Sequence, residues 1–212
     1  AAAVTLVDAC PPLLAHALAR LAGTRVPIRI AVGDCHRLPA AGGRATRGLS
    51  GFGVVYADDP AAAARELVRV CAPGGLIGLT AFTPGGAPGC FRAVLTDLLD
   101  EPVPGRSRAV PARWADGSRL RGFFAGTGAE LRSVTDRTLP LRFADPAAAA
   151  RFFADRSGPI LEVREQLAAR GRWPAAERAL TEAVARTGRA DGDAFVVPAP
   201  YRVAVLSRPG IA

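Results

Sequence analysis

The chain of 212 residues has no methionine, no lysine and no asparagine, and only two histidines. Without lysine, all 27 positive charges are arginine, and set against 19 acids they leave a net charge of +8. An arginine bias of this kind reads as the codon usage of a GC-rich genome more than as a chemical choice. The charge alone would support nucleic-acid binding, but the arginines are scattered and no aromatic-basic motif accompanies them, so no nucleic-acid partner is expected. Two histidines are too few for a histidine-based metal centre. Cys10, Cys35, Cys71 and Cys90 form no CxxC pair and no zinc-ligand spacing, which leaves buried free thiols as the expectation and no metal. The opening Ala1-Ala2-Ala3-Val4 lacks the starting methionine, as expected of a chain that was processed, trimmed or begun short. It also lacks a basic n-region, and Asp8 interrupts its apolar run, so it is not a signal peptide. The longest uncharged stretch, between Arg69 and Arg92, contains Pro73, Pro84 and Pro88 with repeated glycine, which excludes a membrane helix. The expectation is a cytoplasmic protein without a membrane partner; the oligomeric state is not legible.

What is present is a globular composition, 50% hydrophobic and 22% charged. A chain this long buries roughly 70% of its unfolded surface and needs neither disulfides nor metal to fold. Val4 to Asp8 is a β-branched run ending on an acid, followed by a helical pattern from Pro11 with Leu14, Ala17, Leu18 and Leu21 on one face. Ile28 to Val32 reads as a second strand. Asp59-Pro60 opens a helix with Ala63, Leu67, Val70 and Cys71 on its apolar side, stopped at Pro73-Gly74-Gly75. Leu76 to Phe82 is a continuous apolar run suited to a strand buried on both faces. Strands alternating with helices predict a mostly parallel α/β sheet. Thr83 to Gly117 is rich in proline and glycine, with a short helix expected around Phe91 to Leu99. Further on, the pattern predicts a helix over Ser118 to Phe124 and a long strand over Leu131 to Phe143. Three helices follow (Ala147 to Ala154, Ile160 to Ala169, Pro174 to Arg186), and then closing strands at Ala194 to Val197 and Arg202 to Leu206. Gly126-Thr127-Gly128 follows a helix and reads as a C-cap and turn. No internal repeat is present.

An acid at the carboxyl end of a parallel strand, just before a helix, is where nucleotide-binding sheets place the group that accepts ribose hydroxyls. Asp8 occupies such a position, and its alternative is a helix cap. Asp34, one strand later, could read an exocyclic amine at the same crevice. His36, in the loop beside Asp34, reads as a loop residue more readily than as a catalytic base, and no residue is assigned that role.

Four segments in order, VTLVDACPPLL (4 to 14), VGDCHRLP (32 to 39), FGVVYADDPAAAARELVRVCAPGGLIGL (52 to 79) and VPARWADGSRLRGFF (110 to 124), carry a resemblance. They are similar to the class I S-adenosyl-L-methionine-dependent methyltransferases of the small-molecule branch, related to quinone and natural-product enzymes. The most specific part is the helix-to-strand signature Glu66, Leu67, Arg69, Val70, Pro73, Gly74 and Gly75. The resemblance implies a Rossmann-like fold, S-adenosyl-L-methionine as cofactor and a small-molecule acceptor. It also implies a cofactor site at Asp8 with Ala9 (ribose), Asp34 (adenine amine), Cys35 (backbone at the base) and Ser50. Two departures stand out. The family's first strand, with its glycine-rich loop, would lie upstream of Ala1. At the fourth strand the chain has Ala45-Thr46-Arg47-Gly48-Leu49-Ser50, in which arginine and glycine conflict with a buried strand. A non-catalytic relative with impaired cofactor binding is the alternative.

In the family's sheet order 3-2-1-4-5-7-6, the link between strands six and seven starts and ends at the ligand edge. Here that link, Asp145 to Asp193, is long enough to be a helical lid insertion within a single methyltransferase domain spanning residues 1 to 212. The expected acceptor pocket is mostly apolar, drawing on Phe52, Tyr56, Phe82, Trp114, Phe152 and Phe153, and a small, largely apolar acceptor follows.

Overall fold

Short β-branched runs become strands, and Asp59-Pro60 and Asp145-Pro146 each open a helix, in a computed structural model that describes residues 3–86, 91, 94, 95, 98 and 111–210. Internal contacts divide the chain into two compact units, Ala1–Thr80 with Ala109–Val134 and Val203–Ala212, and Ala81–Arg108 with Thr135–Arg202.

In the first unit β1 (Val4–Asp8) and β2 (Ile28–Val32) pair in parallel, Val4 opposite Ile28 and Asp8 opposite Val32. Between them α1 (Pro11–Arg20) begins on two prolines, whose missing N–H groups cost nothing in a first turn, and is anchored by Leu14 at 4% exposure. β3 (Ala45–Gly51) runs parallel to β4 (Cys71–Phe82), with a 3-10 turn at Val54–Tyr56 and α2 (Pro60–Val70) between them. The predicted cap of α2 is present: the Asp59 carboxylate accepts the Ala62 N–H at 2.9 Å, and this bond holds its pKa below the usual value. Ala63, Ala64, Leu67, Val68 and Val70 are buried along one stripe. After the turn at Pro111–Ala115 comes α3 (Gly117–Phe123), capped by Asp116. The Gly126-Thr127-Gly128 turn forms as expected, both glycines at positive φ.

One expectation is corrected. Arg47 and Gly48 argued against a strand at Ala45 to Ser50, yet β3 forms there. Among the described residues β3 has a strand on one side only, so Arg47 is exposed and bonds back to the Thr46 carbonyl. Gly48 is half-buried, and a Cβ there would meet Ile77 of β4 only at an ordinary contact distance of 3.9 Å. Neither residue is buried against a polar deficit, which was the premise of the conflict.

In the second unit Asp145 caps α4 (Pro146–Arg156) by accepting the Ala148 N–H at 2.6 Å, and α5 (Gly158–Ala169) and α6 (Trp173–Thr187) follow. Their apolar stripes meet in one core that includes Phe91, Leu95, Ala149, Phe153, Ile160, Val163, Leu167, Leu180 and Val184. The helix expected over Phe91 to Leu99 lies largely outside the described residues. β6 (Arg189–Asp191) pairs antiparallel with β7 (Ala194–Ser207), a single strand where two short ones were expected. β5 (Glu130–Phe143) completes a sheet of order β3-β4-β7-β5 with β6 on β7, while β1 and β2 form a separate two-stranded sheet. In the family's numbering these two sheets supply 3-2 and 4-5-7-6. The position without a strand, among the described residues, is the first.

The end of β7 is tied to α2. One Arg208 guanidinium nitrogen donates to the carbonyls of Val68 at 3.0 Å and Cys71 at 2.6 Å, and the Arg208 main chain bonds to Gly74 and Gly75. A cation at a helix C-terminus satisfies carbonyls that the helix cannot. Arg208→Ala is therefore expected to destabilise the protein by about 1–3 kcal/mol in a urea titration. An unchanged midpoint would mean that water replaces the guanidinium at no cost.

Candidate functional site

β1 and β2 are parallel neighbours, so Asp8 and Asp34 arrive at the same carboxyl edge. Each carboxylate is fixed in the same way. Asp8 Oδ1 accepts the N–H of Cys10 at 2.8 Å, and Asp34 Oδ1 accepts the N–H of His36 at 2.7 Å. These two-residue turns lock the side-chain torsion, and the Asp34 carboxylate is further held by the Cys35 thiol. Asp34 is held below the usual carboxylate pKa, first by that backbone bond and then by the His36 ring.

The loop after β2 is built tightly. At Gly33 a Cβ would run into the Pro39 ring, so glycine is what lets the chain fold back there. His36 Nε2 accepts the Asp59 N–H at 3.2 Å, which places the ring proton on Nδ1, where it is donated to Asp34 Oδ1 at 2.6 Å. Asp34, Cys35 and His36 bring three potential ligand atoms within 4.8 Å of one another. Both His36 nitrogens are nevertheless committed to hydrogen bonds, so the cluster is explained as a loop fold. Burial pushes the Cys35 thiol up in pKa, which keeps it protonated. Ala9 is exposed beside Asp8. Ser50, at the carboxyl end of β3, accepts the Val54 N–H on its hydroxyl at 3.0 Å and helps shape the turn containing Phe52, the one non-glycine residue at positive φ among those described.

Between β1 and β3 runs a groove of about 250 Å³, lined by Thr5 to Asp8, by Leu14 and Ala17 of α1, and by Leu49. Both strands present an unpaired edge to it among the described residues. Leu49 is 84% exposed, and Val4, Ile30 and Val32 are also exposed, an unusual density of bare aliphatic surface for so small a sheet.

The aromatic residues predicted for an acceptor pocket separate. Trp114 is 3% exposed and packs on Phe123 and Phe124 at ring separations of 5.0 and 6.5 Å, so it belongs to the core of the first unit. Phe153 is in the core of the second unit, against Phe91 at 4.8 Å. Phe52 and Phe82 are half-buried, and Tyr56 and Phe152 are exposed. A wider hollow of about 640 Å³ lies between α4 and α6, and its lining contains none of the predicted site residues. What the sequence did not reveal is the use of Glu66 and Arg69: their side chains reach the loop after β2. The signal was their spacing of three on one helix face, legible only as part of a signature.

The arrangement defines a class I methyltransferase fold. Residues 1–79 match the family described as a methyltransferase domain. S-adenosyl-L-methionine is the cofactor that the matched family implies. An uncharacterized protein of Mycobacterium tuberculosis, Rv1405c, is 30% identical over 163 residues, covering 76% of this chain and 58% of its own. A second, Rv1403c, is 27% identical over 165 residues, covering 78% and 60%. The chain thus spans somewhat over half the length of these relatives. Among solved structures, a candidate methyltransferase of Bacillus halodurans matches with a TM-score of 0.59 at 17% identity, over 98% of this chain and 84% of its own. A SAM-dependent methyltransferase of Methanosarcina mazei matches with a TM-score of 0.54 at 13% identity, over 99% and 83%. No helix among the described residues is long and apolar enough to cross a membrane.

Proposed function

We propose that this chain works as part of a methyltransferase that transfers the methyl group of S-adenosyl-L-methionine to a small, largely apolar organic acceptor. The observation that carries the reading is the pair of carboxylates at the carboxyl ends of adjacent parallel strands, each pinned through Oδ1 by the N–H two residues further on. Asp8, with Ala9 beside it, would hold the ribose hydroxyls. Asp34 would take the adenine amine, the Cys35 backbone would border the base, and Ser50 would close the site from β3. When bound, the sulfonium supplies the reactivity of an in-line displacement, so the protein's own contribution is to align the acceptor and exclude water. The helical insertion Asp145–Asp193 is assigned to choosing the acceptor, with exposed Phe152 as its aromatic face.

Two charge-assisted hydrogen bonds from ribose to Asp8 are worth roughly 1.5–3 kcal/mol each before desolvation is subtracted. Asp8→Ala is accordingly expected to weaken S-adenosylhomocysteine binding at least about tenfold in a calorimetric titration. An unchanged dissociation constant would reduce Asp8 to the cap of the turn before α1.

A further inference from the structure

The loop from Gly33 to Gly43 contains almost no regular structure, yet polar groups along it bond at several points to a single element, α2. At one end the Asp59 N–H, at the cap of α2, reaches His36 Nε2 at 3.2 Å. In the middle Glu66 Oε2 accepts the Leu38 N–H at 2.8 Å. Arg69 donates through Nη2 to the Leu38 carbonyl at 3.0 Å and through Nη1 to the Ala40 carbonyl at 2.9 Å. At the far end the Gly43 N–H bonds to the Arg69 carbonyl at 2.8 Å. The two side chains also brace each other: Arg69 Nε meets Glu66 Oε1 at 2.6 Å and Nη2 meets Oε2 at 2.8 Å. This bidentate fork fixes both planes together. Glu66 is only 15% exposed on its side chain, and Arg69 holds its carboxyl below the usual pKa, so the charge that anchors the fork is retained.

A loop left free would spread its conformations over many wells, and a carboxylate at its start would meet a ligand in the right place only part of the time. We infer that Glu66 and Arg69 are positioning residues that hold the Gly33–Gly43 loop along α2 and thereby set Asp34 for the adenine end of the cofactor. This rests on the assignment of Asp34 to the adenine amine. It gives the Glu66–Arg69 pair a task in cofactor binding although neither residue touches the proposed ligand.

The test uses Arg69→Ala and Glu66→Gln, with Asp34→Ala as reference, in a form of the protein that binds S-adenosylhomocysteine measurably. Two quantities are read: amide hydrogen exchange across residues 34–43, and the dissociation constant for S-adenosylhomocysteine. Arg69→Ala should speed exchange at Leu38 and Gly43 at least about tenfold and raise the dissociation constant about tenfold, while the buried amides of Val68 and Leu79 stay protected. Glu66→Gln, which keeps an acceptor for Leu38 but loses the ion pair, should fall between Arg69→Ala and the parent, and it decides the matter if Arg69→Ala does not fold. Because Arg69 acts through Asp34, adding Arg69→Ala to Asp34→Ala should raise the dissociation constant by less than about threefold further. Additive effects would overturn the inference. So would faster loop exchange with unchanged affinity in Arg69→Ala while Asp34→Ala weakens binding, because the pair would then only hold the loop's shape. If Asp34→Ala leaves affinity unchanged while loop exchange still responds to Arg69→Ala, the adenine assignment itself fails and the positioning role falls with it.

Discussion

S-adenosylhomocysteine is expected to bind at least tenfold more tightly to a form of the protein that carries a strand between β1 and β3 than to residues 1–212 alone. Asp8 and Asp34 are borne by a two-stranded sheet, and a two-stranded sheet is marginal in water without further partners. Its open edge and that of β3 line the same groove, about 250 Å³ in volume, and both strands run parallel to their outer neighbours. A strand laid into that groove would pair on both sides and cover Leu49, now 84% exposed. Each aliphatic side chain so buried contributes roughly 1.5–3 kcal/mol. The carboxylates would then be held by a continuous sheet, and the ordering that binding otherwise has to supply would be in place beforehand. A glycine-rich segment of the kind expected by resemblance, joined ahead of Ala1, would supply such a strand and would also bring backbone to the methionine end of the cofactor. Calorimetric titration of both forms decides the matter. Equally tight binding by residues 1–212 would show that the groove has no part in the cofactor site.

Much of this was legible in the residues because local chemistry and tertiary context agree. Asp59-Pro60 and Asp145-Pro146 are cap and first-turn pairs whose geometry is fixed within four residues, and both open helices as read. The run from Leu76 to Phe82 lies inside β4, but only Ile77, Leu79 and Ala81 are buried, and the other face is half-buried where burial on both faces was expected. β3 departs from the sequence pattern for a non-local reason. Whether Arg47 is tolerable depends on whether a neighbouring strand covers it, which no window of the sequence records. The same holds for the aromatics: Trp114 and Tyr56 look alike as apolar rings near strand ends, and only packing separates the one at 3% exposure from the one at 50%. The clamp formed by Glu66 and Arg69 was hidden because its partners are backbone atoms some thirty positions away, and backbone atoms leave no trace in residue identity.

That separation makes Phe152 and Phe153 an informative pair. Phe153→Ala is expected to cost about 3–5 kcal/mol, and Phe152→Ala less than about 1.5. Phe153 is 9% exposed, with Phe91, Phe143 and Phe152 rings at 4.8, 5.9 and 5.5 Å, and it lies in a core that also holds Ile160, Leu167 and Leu180. Truncation there leaves a cavity among side chains that already fit, and helices fixed on three sides cannot close it. Phe152 is 38% exposed and has Arg156 over its ring at 4.8 Å, so water and the arginine stem take up what its removal exposes. For a chain of this size each kcal/mol moves the melting temperature by about 2–4 °C, so Phe153→Ala should melt roughly 6–20 °C below the parent. The two substitutions therefore have to be made singly. Changing both would confound folding with choice of acceptor, whereas Phe152→Ala alone should alter preference among acceptors in an active form and leave S-adenosylhomocysteine affinity within about threefold, less than 1 kcal/mol. A Phe153→Ala protein melting within 2 °C of the parent would remove that ring from the core, and loss of cofactor binding in a folded Phe152→Ala protein would move α4 from the acceptor to the cofactor.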